Sequence, residues 1–355
     1  MYNSKILQIN EKVPVKVYKN YLFPLLVIFC NNSSSKWINK HFGNVYLMRD
    51  EKNYIWYDFL EPSNFYEDYI TQSYISLFDI CKYDIVKLIE KSISDNKYVT
   101  LFLDEYFIKD SFNYRKRHIA SEYFVYGFNA SLKIFCGFGY NKFNFSTTMQ
   151  FSYDEMVLAQ KSLLESQSDF EELPVWVKWY AFSNIAKRDV SVINNDVSCI
   201  VEDIIDYKES NNKRHCLRKE IVHERGTVAV YGLSTQRELI NSLYALKEND
   251  FLIDYRHIHL LYEHKKIMYS KLEYISKTLS IDMKNLLTEY AQIVHKMEVV
   301  RMCYLKGILK QDSNNIYAQL TDNTIINKII NILEKIIIDE REILSCFINK
   351  CFLEY

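Results

Sequence analysis

Val99–Ile108 (VTLFLDEYFI), Glu122–Phe128 (EYFVYGF), Leu132–Phe138 (LKIFCGF) and Asn144–Phe151 (NFSTTMQF) follow one another with short polar breaks between them. Wound as helices, these runs would expose Phe and Tyr on every face, so they predict consecutive strands of an antiparallel meander. Upstream, from Lys5, the segments are equally short, rich in Tyr, Phe, Val and Ile, and punctuated by Asn, Ser and Asp. One of them, Asn20–Cys30, predicts a helix capped by Asn20, ending at the Asn31-Asn32-Ser33 turn and packing on the sheet. Past Tyr153 the spacing turns helical, opening with Met156, Leu158, Leu163 and Leu164, and all four prolines lie at or before Pro174. The clearest helix is Asn323–Lys350, with Ile325, Ile326, Ile329, Ile330, Leu333, Ile336, Ile337 and Leu344 on one face. The sequence therefore predicts an α+β protein with a boundary between Tyr153 and Pro174. An α+β domain over 1–153 and a connecting mixed segment over 154–234 precede a helical domain over 235–355.

Composition narrows the function classes. The 355 residues carry 44 Lys and Arg against 45 Asp and Glu, which argues against general binding to nucleic acid or to a membrane surface. With 29 Tyr and 21 Phe there is ample apolar area to bury, and intrinsic disorder is excluded. Seven Gly, four Pro and no GxxxxGK[ST] or GxGxxG motif set aside P-loop and Rossmann chemistry. The eight cysteines, at 30, 81, 136, 199, 216, 303, 346 and 351, contain no CxxC pair, so no zinc knuckle or thioredoxin motif is expected, and no cofactor. Residues 1–20 contain no signal-like apolar run, and the uncharged stretch Tyr21–Ser35 is too short to span a bilayer. A cytoplasmic protein with reduced thiols is expected.

Three constellations carry chemistry. Cys30 is a candidate nucleophile, although it falls at the far end of its predicted helix rather than at the N-terminus, where the dipole lowers a thiol pKa; a small buried apolar role competes with the catalytic one. Asp104-Glu105-Tyr106 precedes a basic run, Tyr114-Arg115-Lys116-Arg117-His118, and then the strand that ends Gly127-Phe128-Asn129. A histidine just before such a strand resembles the placement of the base in papain-like enzymes, which makes His118 a candidate base with Asn129 or Asp104 to orient it, and a loop histidine in a basic surface cluster is the competing reading. The third is Asp254-Tyr-Arg256-His257-Ile-His259-Leu-Leu-Tyr-Glu263-His264-Lys265-Lys266, whose histidine spacing forms no HExxH-type chelate. It predicts a solvated or interdomain polar helix face with Arg256–Glu263 or Glu263–Lys266 pairs.

LFLDEYFI, the Tyr-basic-His segment, EYFVYGFN, IFCGFGY and, far downstream, VYGLSTQRELINSL and DYRHIHLLYEHKKIM together resemble a bacterial family related to the butirosin biosynthesis protein H N-terminal domain, over most of residues 13–300. The resemblance implies a papain-like antiparallel sheet with an N-terminal helix, similar to C39 peptidases, followed by a mostly helical C-terminal half. It also implies work beside peptide synthetases in natural-product biosynthesis, where a cysteine takes an acyl or peptidyl group from a carrier-protein thioester and passes it to an amine. The active members place the cysteine at the start of the first helix, where this chain has Tyr21-Leu22. Their histidine aligns with Ser121 or Glu122, and their aspartate with Asn129. Two expectations follow. Either the chain is an accessory protein that binds a carrier-tethered acyl or peptidyl chain without cysteine catalysis, or it is an active acyltransferase or amide synthase using Cys30, His118 and Asn129 or Asp104.

Overall fold

The computed structural model describes residues 3–31, 34–49, 55–61, 65–142, 146–165, 181–188, 197–213, 228–248, 253–311 and 320–353. In chain order the elements are β1 (Ser4–Ile6), α1 (Lys19–Ile28), α2 (Ser34–Trp37), β2 (Val45–Arg49), β3 (Ile55–Phe59), β4 (Ile70–Ile75), α3 (Leu77–Ile80), α4 (Ile85–Ser94) and β5 (Lys97–Asp104). Then follow β6 (Ala120–Asn129), β7 (Ile134–Tyr140), β8 (Ser146–Ser152), α5 (Tyr153–Glu165), β9 (Phe182–Lys187), α6 (Val197–Lys208) and β10 (Val228–Tyr231). The chain closes with α7 (Ser234–Lys247), α8 (Tyr255–Leu279), α9 (Lys284–Gln311) and α10 (Asn323–Leu353). It is a mixed α+β protein with an antiparallel sheet and a helical C-terminal half. It divides into two compact units, residues 1–32 with 66–191 and residues 33–65 with 192–355.

The first unit is built on a sheet in the order β4-β9-β5-β6-β7-β8, with β1 added on β6 and every pairing antiparallel. The meander β5 to β8 is the one the apolar runs predict; of its last run, Asn144 and Phe145 lie outside the described residues. One face of β5 and β6 presents Val99, Leu101, Leu103, Tyr123 and Val125, which share a core with Ile85, Ile89 and Ile93 of α4 and Met156, Ala159 and Leu163 of α5. These helices dock because their buried residues recur three or four apart, and Asp84 caps α4 by accepting from the backbone N–H groups of Val86 and Lys87. The other face meets α1, where Phe23 stacks on Phe124 at 5.5 Å and Phe124 on Tyr98 at 5.6 Å. The cap expected of Asn20 does not form. α1 begins at Lys19, its N-cap position is Tyr18, and no side chain caps it. The expected division at residue 153 does not coincide with the compact units: α5 stays with the sheet, and 34–61 fold with the helices.

The second unit joins the small sheet β10-β2-β3 to helices α6 to α10. At its centre Lys265 of α8 and Glu340 of α10, both wholly buried, pair at 2.6 Å. The carboxylate also accepts from Tyr290 Oη, Gln236 Nε2 and Tyr207 Oη, so α6, α7, α8, α9 and α10 converge on one anion. Beside it Lys271 donates to Asp203 at 2.9 Å, directly over Gly43, where a Cβ would lie 1.7 Å from the Asp203 carboxylate. The stretch 254–266 is therefore not the solvated face its composition suggests, since His257, Glu263, His264 and Lys265 are all buried. Nor do the expected surface pairs form there. Arg256 pairs with Asp254, the α8 N-cap, and Glu263 with His259.

Burial alone would raise the Glu340 carboxyl, but the Lys265 ammonium and the Lys265 and Tyr290 hydrogen bonds outweigh it and hold Glu340 below the usual carboxylate range. Removing it strands a buried ammonium, so Glu340→Ala is expected to cost about 3–5 kcal/mol in denaturant unfolding. Desolvation drives the two imidazoles the other way, His257 down to about 4 and His264 to about 3. The unfolded chain takes up those protons near pH 6.5 while the native state does not, so the stability present above pH 6.5 is lost as the pH falls toward 4. The loss is about 1.4 kcal/mol per pH unit for each imidazole, and His264→Gln should halve that slope. Glu340 adds nothing to this window, because its own contribution is in place above about pH 4.3 and fails only below it. Urea midpoints of both proteins measured from pH 7 to 4 check the difference.

Candidate functional site

At the end of β5 the chain leaves the sheet through a turn at Glu105–Phe107, and the loop 108–119 returns it to β6, where Asp104 faces Ala120. Asp104 is fully buried, and its carboxylate is met from three sides. It accepts from the Tyr106 backbone N–H at 3.0 Å, from Ser162 Oγ of α5 at 2.7 Å and from His118 Nδ1 at 2.6 Å. A carboxylate only accepts, so Nδ1 of His118 is the nitrogen that donates, and in the neutral tautomer this bond selects the lone pair lies on Nε2. The imidazole is stacked on Tyr106, with ring centroids 4.2 Å apart and planes 14° from parallel, and its side chain is 53% exposed. This is the arrangement in which a carboxylate fixes a histidine's tautomer and ring plane and presents Nε2 outward.

The loop carrying His118 is itself ordered. Glu105 accepts from Ser111 Oγ and Asn113 Nδ2, and the Arg115 N–H donates to the Tyr106 carbonyl. Arg115 adopts φ +53°, a left-handed conformation that side chains seldom take. Its guanidinium lies over Tyr114, and the Lys116 ammonium over Phe112.

The N-terminus of α1 meets the start of β6 nearby. Lys19 Nζ donates to Ser121 Oγ and, at 2.8 Å, to the Glu122 carbonyl, and it lies over the rings of Tyr123 and Tyr140. Burial pushes the Glu122 carboxyl up, with the Lys19 ammonium and Thr100 drawing it back only in part.

The remaining predicted residues are not brought to this place. Cys30 lies past the opposite end of α1, where its thiol donates to the carbonyls of Gln8 at 3.2 Å and Leu26 at 3.4 Å. The same Gln8 carbonyl accepts from Tyr98 Oη, and Tyr98 stands six residues before Asp104 on β5, about 20 Å along the strand. Burial pushes the Cys30 thiol up, and the Lys187 ammonium does not reverse it. Asn129 ends β6, nine residues or about 30 Å from the end that His118 adjoins, and its side chain accepts from the Leu132 N–H in the following turn. Of the two groups considered for orienting His118, Asp104 makes the contact. Lys19, Tyr106 and Ser162 belong to the site but do not stand out in the sequence; the clue for Ser162, a small polar residue inside α5, lies 58 residues from its partner.

Among the described residues no group of three His, Cys, Asp and Glu is placed to hold a metal ion, and no helix is long and apolar enough to cross a membrane. Compared with known proteins, the chain matches no family model and no curated protein.

A thiol that is hydrogen-bonded to backbone carbonyls and raised in pKa is a poor nucleophile. In the folded protein iodoacetamide should label Cys30 more slowly than a thiol of ordinary pKa near 8.5, as read by peptide mass spectrometry. Labelling faster than that, and slowed in His118→Ala, would show a thiolate paired with the imidazole.

Proposed function

We propose that this chain is a papain-like accessory protein of peptide or other natural-product biosynthesis that binds a carrier-protein-tethered acyl or peptidyl chain without cysteine catalysis. The observation that carries the reading is Lys19. The acyl-transfer family that the sequence resembles sets its cysteine at the start of the first helix, where this chain has Tyr21-Leu22, and the helix opens instead on Lys19, whose ammonium is bonded to Ser121 and the Glu122 carbonyl. An ammonium has no lone pair for attack on a carbonyl, and an antiparallel sheet covered by α1 on one face and by α4 and α5 on the other supports the papain-like part of the reading. The partner class rests on the resemblance, and with it a cytoplasmic setting beside a peptide synthetase.

Binding separates this reading from a cysteine enzyme. An acyl-loaded phosphopantetheinyl carrier domain titrated into the protein should bind, with Cys30→Ser changing the dissociation constant by less than about twofold, well under the tenfold that 1.4 kcal/mol represents. Absence of binding by isothermal calorimetry would remove the carrier from the account. Transfer of the acyl group to a thiol of the protein would replace binding with catalysis.

A further inference from the structure

Of the polar clusters in the first unit, the Asp104–His118 pair is assembled as a base, and among the described residues no cysteine is hydrogen-bonded to its imidazole. The features that position the imidazole come from two distant parts of the chain, the end of β5 with the turn after it and α5. Asp104 ends β5, Ser162 reaches the same carboxylate oxygen from α5, and Tyr106 supplies both a backbone N–H and the stacking ring. A histidine serving only to neutralise a buried carboxylate would need neither the ring stack nor a side chain left half exposed with no second partner for Nε2 among the described residues. That atom has no partner among the described residues. Immediately before it stand Arg115, Lys116 and Arg117, all exposed, and none forms an ion pair among the described residues. Tyr114 and Phe112 meet the first two by cation–π contact, so the loop presents a cationic ridge that leads directly into His118 along the chain.

We infer that His118 is a catalytic general base that activates an amine or water directly against an ester or thioester carbonyl whose leaving group carries phosphate, with no enzyme-bound acyl intermediate. The thioester member of that class rests on the carrier reading above; the base does not. In the step, Nε2 takes the proton from the attacking N–H or O–H as the new C–N or C–O bond forms. The carbonyl π electrons move to oxygen and return as the C–S or C–O bond to the leaving group breaks. The imidazolium then gives its proton to the departing thiolate or alkoxide, so a thioester and an amine become an amide and a thiol with nothing else consumed. Asp104, Tyr106 and Ser162 are positioning residues, and the cationic ridge meets the phosphate.

The full-length protein is assayed with two probes, p-nitrophenyl acetate for the base and acetyl-coenzyme A with a primary amine for the complete substrate class. His118→Gln should lower p-nitrophenyl acetate turnover by about 100-fold, the scale of a lost general base, and leave thermal unfolding in place because the side chain is half exposed. Added imidazole should restore turnover to His118→Gly, which a merely structural histidine would not allow. Asp104→Asn tests the positioning, and Ser162→Ala serves if the buried substitution unfolds the sheet. Replacing Arg115, Lys116 and Arg117 together with Gln should slow acetyl-coenzyme A about tenfold more than it slows p-nitrophenyl acetate, the order of one or two charged contacts. Equal turnover in wild type and His118→Gln, or no rescue by imidazole, overturns the inference even where the carrier domain binds. Turnover that depends on His118 in a protein that binds no carrier keeps the base and removes the carrier reading alone.

Discussion

A full charge taken out of water has to be met by an opposite charge or by hydrogen-bond donors, and both units are organised around that requirement. In the second it is Glu340, joined by Lys265 and closed off by Tyr207, Tyr290 and Gln236. Four helices each contribute one donor to the anion that the fifth carries, so none can slide or turn without leaving a polar atom bare. Replacing the pair with apolar residues could give equal stability, but it would remove the directional bonds that fix helix register. His264 and the Lys271–Asp203 pair extend the polar centre to the 42–45 turn, where Gly43 is the only residue type with room.

In the first unit the same requirement is met by Asp104, and it shapes the candidate site. The buried carboxylate draws in Ser162 from α5, the Tyr106 amide and His118 from the loop, and so converts a surface histidine into an oriented one. At the neighbouring junction, the Lys19 ammonium is what compensates the partly buried Glu122 and Ser121. The chemistry we propose for this site is accordingly proton transfer at the imidazole rather than thiolate attack.

The sequence made the fold legible where burial alternates locally. β5 to β8 are apolar runs with short turns, and α10 is a long apolar stripe, so each announces itself within its own window. β9 did not, because FSNIAK has no sustained alternation and its partners β4 and β5 lie far upstream. The polar stretch 254–266 was misleading for an instructive reason. Lys265 falls in phase with Ile258, Leu261, Met268 and Leu272, and Glu340 in phase with Leu333, Ile337, Leu344 and Phe347, so each charge occupies a core position of its helix. A charge on an apolar stripe is the mark of a buried partner, but the partner stands 75 residues away. At the site, His118 and Asp104 were visible as a pair of chemical types. Their contact, and the separation of Cys30 and Asn129 from them, depend on which strand ends adjoin, which spacing along the chain does not specify.

The central claim is that this chain handles acyl groups without forming a bond to sulfur. Intact-mass spectrometry of the protein, quenched in acid after incubation with an acyl-loaded carrier domain, tests it most directly. The account predicts the unmodified mass at every time point while the carrier remains bound. A mass increase equal to the acyl group, mapped to Cys30 and discharged by an added amine, would contradict it.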